Sequence, residues 1–163
     1  MHNNCKIQIL ERIEQEPVTF MHLVDDVACV SETVDMFVNE LKNTGKIIER
    51  KNKFRILHSP EIELEKIDFF ELMLHPTIRS IMLLMLKTND MSQFELEEIL
   101  MKSRPSISRS LKILVNHELI EKIYHAPKMT YQVQNKQKII SWMKITHPKI
   151  LDRMRDGLTE MFI

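Results

Sequence analysis

At 163 residues, with 23 Lys and Arg against 23 Asp and Glu, the chain has the size of one domain or two small ones and no net charge. Two glycines argue against Gly-rich phosphate loops and a turn-rich β-sandwich, while 12 methionines and 6% aromatic residues point to an aliphatic core with Met as filler. No apolar run reaches the length of a membrane span and no signal-peptide core opens the chain, so a cytoplasmic location with no membrane partner is expected. Cys5 and Cys29, the two cysteines, lie in no CxxC or His-rich spacing. Neither a disulfide framework nor a metal site is expected from them, and no cofactor is assigned.

A first helix is expected from Lys6 to Glu14, where Ile7, Leu10 and Ile13 recur at helical spacing, and Pro17 breaks it. Phe20 to Val27 reads as a second short helix, with Phe20, Leu23, Val24 and Val27 inward. Ser31 is the expected N-cap of a third, which turns Val34, Phe37, Val38 and Leu41 inward and stops before Gly45. Ile47, Ile48, Phe54, Ile56 and Leu57 then suggest two short strands around a turn at Lys51 and Asn52. Three helices followed by a β-hairpin is the winged-helix order. Residues 1–58 are therefore expected to form one such unit, with a core small enough to be marginal alone.

Ser59 and Pro60 are expected to start a connecting helix over 59–75, acidic on its surface. Pro76 should end it and begin another to Leu86, apolar nearly all round and so buried. Ser92 followed by Glu95 has the spacing of a capping box, opening a helix to Leu100 with Phe94, Leu96, Ile99 and Leu100 inward. Pro105 suits the first turn of the next helix, about 105–117. Ile120 to Tyr124 and Met129 to Val133 read as strands around His125-Ala-Pro-Lys128. The helix–helix–helix–hairpin order thus recurs over 76–134, without matching residues.

The helix at 105–117 has two chemically opposed faces. Ile107, Leu111 and Leu114 form one apolar stripe, and Arg109, Lys112 and Asn116 fall on the opposite side, flanked by Ser106 and Ser108. These polar groups are of the types that hydrogen-bond phosphates and base edges. An ordinary solvated helix face is the plain alternative. Charge segregation weighs against it: Glu61 to Leu100 holds nine acidic and three basic residues, whereas Met101 to Lys138 holds eight basic and two acidic. Local field, not total charge, draws a polyanion to a surface.

Ile67 to Met82, with its Pro76-Thr77-Ile78-Arg79 element, resembles the entry to the ArsR-type winged helix-turn-helix regulators. Ser106 to Leu114 is similar to the recognition helix of that family and of the related MarR-like regulators, and Ile120 to Val133 resembles their wing. The resemblance implies a winged-helix fold, binding of double-stranded DNA in transcription and dimerisation. It carries DNA contact to Ser106, Ser108, Arg109, Ser110 and Lys112, and wing contact to the neighbourhood of Lys128. Two departures stand out. Asn116-His117-Glu118 occupies the place where the family has Gly, and the cysteine pair of its metal-sensing members is absent.

The fold expected is mainly α with small β-hairpins (α+β): tandem winged-helix domains joined by a helix, plus a C-terminal amphipathic helix. The DNA face comprises Arg104, Ser106, Ser108, Arg109, Ser110, Lys112, Asn116, Lys122 and Lys128. The tail, 135–163, reads as a short helix, a break at His147-Pro148 and a terminal helix with an apolar stripe of Ile150 or Leu151, Met154, Leu158 and Met161. That stripe packs on its own core or holds a homodimer. Scattered histidines and adjacent acidic pairs such as Asp25-Asp26 make no catalytic constellation, so no enzyme is expected. The alternative to a DNA-binding regulator is a tandem winged-helix interaction module, a scaffold in a chromosome-organising, transcription-initiation or membrane-sorting complex. The first unit favours a protein partner, because its third helix exposes Glu32, Asp35, Met36, Asn39 and Glu40.

Overall fold

The structure, a computed structural model, describes residues 2–146. It is mainly helical with small antiparallel hairpins and divides into two compact units between Glu71 and Leu72, inside the segment expected to connect the halves.

The first unit runs α1 (His2–Gln15), β1 (Val18–Thr19), α2 (Phe20–Asp26), α3 (Ser31–Asn43), β2 (Ile48–Lys51), β3 (Arg55–His58) and most of α4 (Leu64–Met73). Its sheet has the order β1-β3-β2, antiparallel throughout, with Val18 opposite Leu57 and Arg50 opposite Ile56. Strand β1 follows from two buried residues, Val18 and Thr19, directly after Pro17. On α1 the buried stripe is Cys5, Ile9 and Ile13, and Ile7, expected inward, is exposed. These residues pack with Leu23, Val34, Val38, Leu41 and Leu57 into one core.

Three expectations are corrected in this unit. Ser31 is not the cap of α3: Val34 N–H already bonds the Val30 carbonyl (3.1 Å), so the helix starts one residue earlier at a capping position with no side-chain acceptor. Ser59 and Pro60 form a turn, in which Ser59 accepts from the backbone of Glu61 and Ile62, and α4 begins only at Leu64. Finally, a disulfide joins Cys5 to Cys29, with Cα atoms 6.3 Å apart. Pairing depends on α1 lying beside the α2–α3 connection, a tertiary fact that cysteine spacing does not carry.

The second unit contains α5 (Pro76–Lys87), α6 (Gln93–Leu100), α7 (Arg104–Asn116), β4 (Ile120–His125), β5 (Lys128–Val133) and α8 (Lys136–Thr146). Pro76 sits in the first turn of α5, and Ile78, Ile81, Met82 and Met85 are buried. Met91 exchanges backbone hydrogen bonds with Tyr131 (3.1 and 2.8 Å), so a one-residue bridge precedes α6 as β1 precedes α2. The order of elements is thus the same in both units. Also buried are Leu96, Ile107, Leu111, Leu114, Ile120, Tyr131 and Val133, and Ile139 and Met143 on α8. Phe94 and Ile99, expected inward, are 64% and 47% exposed. Helix α6 is only two turns long, and Leu96 alone occupies its buried line. Residues 147–163, with the stripe assigned to dimerisation, lie outside the described residues. Among the described residues no single helix is long and apolar enough to cross a membrane.

Candidate nucleic-acid interface

Helix α7 is built to present one face. Ser103 caps it, its Oγ accepting from Ser106 N–H at 3.4 Å, and Pro105 in the first turn removes a donor that would have had no partner. Ile107, Leu111 and Leu114 are buried on the core side. Arg104, Ser108, Arg109, Lys112 and Asn116 are exposed together, on an arc of roughly 140° at about 100° per residue. Among the described residues none of Arg104, Arg109 and Lys112 forms a salt bridge. Three cations therefore meet solvent with their charge unspent.

Ser110 leaves this set. It is 7% exposed and its hydroxyl donates to the Ser106 carbonyl at 2.9 Å, so it sits on the core side and cannot reach a ligand. Ser106 is half-buried at the edge of the face. The family pattern groups 106, 108 and 110 together, whereas helical rotation separates 110 from 108 by about 200°.

The hairpin contributes two lysines in different states. Lys122 is exposed, with Nζ 6.0 Å from the ring centre of Tyr131, its cross-strand partner. Lys128 is engaged by Glu95, Nζ to Oε1 at 3.2 Å. Glu95 is the capping-box residue of α6 and also accepts from Ser92 N–H at 2.8 Å. The backbone hydrogen bond from Ser92, helped by Lys128, holds its carboxyl below the ordinary glutamate range. A phosphate meeting Lys128 has to displace or share it with Glu95. Sequence reasoning placed Glu95 as a cap but missed this second partner, because a contact across 33 residues has no local signal.

The corresponding part of the first unit is electrostatically closed. On α3, Asp35 pairs with Arg55 (2.8 Å) and Glu40 with Lys6. Arg55 is also bound by Glu49 (2.6 Å) and lies 4.1 Å from the ring centre of Phe20. Burial alone would raise the carboxyl of Glu49, but hydrogen bonds from Lys42 and Arg55 outweigh it and hold it low. Arg50 reaches Asp68 and Glu71 of α4. The arginines of this hairpin are therefore spent inside the unit, and Lys51 and Lys53 are the cations left exposed at its tip.

Residues 76–122 match the family model described as the arsR family of bacterial regulatory proteins, which spans α5, α6, α7 and the start of β4. Among curated proteins none matches the chain. Similar solved structures include reduced HlyU from Vibrio cholerae, at 19% identity and TM-score 0.44, covering 51% of this chain and 88% of that one. They also include the transcriptional repressor BigR from Xylella fastidiosa, at 15% identity and TM-score 0.45, covering 52% and 85%. The adhesin competence repressor AdcR from Streptococcus pyogenes is similar at 13% identity and TM-score 0.42, covering 83% and 85%.

Proposed function

With an ArsR-type helix-turn-helix over residues 76–122 as the premise, we propose that the chain is a DNA-binding transcriptional regulator, acting in the cytoplasm without catalytic activity. Helix α7 enters the major groove and its exposed line of Ser108, Arg109, Lys112 and Asn116 meets base edges and phosphates. Arg104 and Lys122 contact the flanking backbone. Lys128 does so by exchanging Glu95 for phosphate. The observation that carries this reading is the unpaired cationic front of α7 opposite an aliphatic back. The domain plan belongs to the same proposal: winged-helix units over 1–58 and 76–134, a connecting segment over 59–75 that carries α4 (Leu64–Met73), and 135–163 as C-terminal helices. The regulator is a homodimer through its C-terminal stripe, so that two α7 helices meet half-sites one DNA turn apart.

Titration of the full chain with random duplex DNA over a range of salt concentrations tests it. The exposed cations Lys102, Arg104, Arg109, Lys112, Lys122 and Lys128 predict a log–log salt slope of up to about −5 per chain, at roughly −0.9 per phosphate neutralised. Binding that is absent at low salt, or insensitive to salt, refutes the proposal.

A second reading is favoured by one observation in the first unit. Its α3 front carries Glu32, Met36 and Asn39 exposed, and its hairpin arginines are internally paired. That surface suits a protein partner better than phosphate, and if the DNA titration fails, the interaction-module role becomes the working one.

A further inference from the structure

We propose that the Cys5–Cys29 disulfide is a reversible thiol switch that sets whether the first unit presents α3 as an ordered face. The pair lies outside the residues matched to the DNA-binding family, and the reading of α7 neither needs nor explains it. The proposal rests on the cytoplasmic placement given above, because a disulfide in a thiol-buffered compartment is transient or regulatory far more often than permanent.

The position of the bond is what gives it leverage. Cys5 projects from α1 into the core beside Ile9 and Ile13 and is 6% exposed. Cys29 stands two residues before α3, in a connection where its N–H bonds the Val27 carbonyl at 2.9 Å. The first turn of α3 has no side-chain cap, since Val30 occupies that place. A side-chain cap would satisfy the donors of that turn; here a covalent link to α1, two residues before the helix, restrains the entry without satisfying them. Val30 is itself exposed, and the buried apolar residues on either side of the entry are Val27 and Val34. Breaking the link releases a loop with a sequence separation of 24 and leaves the α2–α3 connection held by Val27 in the core and by the backbone hydrogen bonds of Val27, Cys29 and Val34.

Access to the bond is asymmetric. Cys29 is half-buried whereas Cys5 is buried, so an entering thiolate reaches the Cys29 sulfur first. Its attack forms a mixed disulfide at Cys29 and expels Cys5 as thiolate, which takes a proton. A second thiol then attacks the mixed disulfide and frees Cys29. In sum one protein disulfide and two reductant thiols give two protein thiols and one reductant disulfide, a two-electron exchange. A cellular monothiol such as glutathione, or a protein dithiol, supplies the electrons.

The test uses the full chain, equilibrated in glutathione buffers from fully oxidised to fully reduced. Native thiols are alkylated with iodoacetamide and counted by mass, and amide exchange is followed in parallel. The proposal expects no alkylation at the oxidised end, two additions at the reduced end, and a midpoint inside the range spanned by the buffers. It expects the amides of α3 to lose at least tenfold protection on reduction, those of α7 to be unchanged, and re-oxidation to restore the first state. The transition of the first unit should fall by on the order of 10–20 °C on reduction, from the loop-entropy gain of a link of this span in a small unit. Cys29→Ser should show reduced-type exchange in every buffer; should it not fold, the wild-type cycle decides alone. Two free thiols in oxidised buffer would overturn the proposal. So would a bond that stays closed at the reducing end, which makes it a permanent staple, or reduction that leaves α3 exchange unchanged.

Discussion

Glu118 takes a backbone conformation that most side chains avoid, and relieving it should stabilise the second unit. Its φ is +56°, directly after α7. The Leu119 N–H bonds the Leu114 carbonyl and the Glu118 N–H bonds the Val115 carbonyl, each at 3.0 Å, which is the Schellman closure of a helix end. The first unit closes α3 in the same way: Lys46 bonds Leu41 and Gly45 bonds Lys42, each at 3.0 Å, with Gly45 at φ +71°. The two sites differ in the residue that carries the left-handed turn. A left-handed residue with a Cβ costs about 1–2 kcal/mol, and glycine returns about 0.5–1 kcal/mol of that through unfolded-chain entropy. Glu118→Gly should therefore stabilise by about 0.5–1 kcal/mol, a rise of roughly 3–6 °C for a unit of this size. Gly45→Ala should cost about the same. A Cβ there meets nothing within 4 Å, so backbone strain is its whole effect. Glu118→Ala keeps the strained Cβ and should change little. Amide exchange under native conditions reads each unit separately. If Glu118→Gly left α7 and the hairpin no more protected than wild type, or if Gly45→Ala cost nothing, the strain argument would be wrong.

Burial holds the imidazole of His58 below the ordinary histidine range, against a hydrogen bond to the Ser59 carbonyl at 2.8 Å. The unfolded chain then takes up a proton near pH 6.5 that the folded chain accepts only at lower pH, so this share of stability is complete above that value and lost as pH falls through it. His58→Gln should flatten the fall between about pH 7.5 and 5; a parallel profile in denaturant titrations would contradict the assignment. Glu95→Gln should release Lys128 and strengthen binding to random and specific DNA alike. Lys128→Ala should weaken both equally and lower the salt slope by about one unit; unchanged titrations in both variants would remove the hairpin from the interface. Leu158 and Met161 to Glu should turn a homodimer into monomers by light scattering, and a wild type that is monomeric at micromolar concentration would rule the C-terminal stripe out as the interface.

Period and punctuation made much of this fold legible. Every helix of residues 2–146 was anticipated, as were the capping box Ser92–Glu95, Gly45 after α3 and both hairpins, because each is specified within a few residues. The misreadings have a common physical cause. Ile7, Phe94 and Ile99 are apolar residues on short or amphipathic helices whose buried line is fixed by what packs beside them. Ser110 was grouped with Ser106 and Ser108 by pattern, while its hydroxyl is satisfied by the carbonyl one turn back. The Cys5–Cys29 bond, the Lys128–Glu95 pair and the locking of Arg50 onto α4 are long-range contacts. The cationic front of α7 could be drawn from the sequence, but that its charges form no salt bridge among the described residues while both arginines of the first hairpin do is visible only in three dimensions.

Arg109→Ala decides whether the exposed face of α7 reads base pairs. Arg109 stands at one edge of that face, about halfway along the helix, exposed and without a salt bridge among the described residues. A bidentate contact from such an arginine to guanine discriminates by about 1–3 kcal/mol. Binding of wild type and Arg109→Ala is compared on a selected site and on random duplex DNA at one fixed salt concentration. If α7 reads base edges, the ratio of the two affinities falls by about tenfold or more, with affinity for random DNA reduced far less. Unchanged binding to both DNAs would contradict that reading and leave α7 as a solvated helix face.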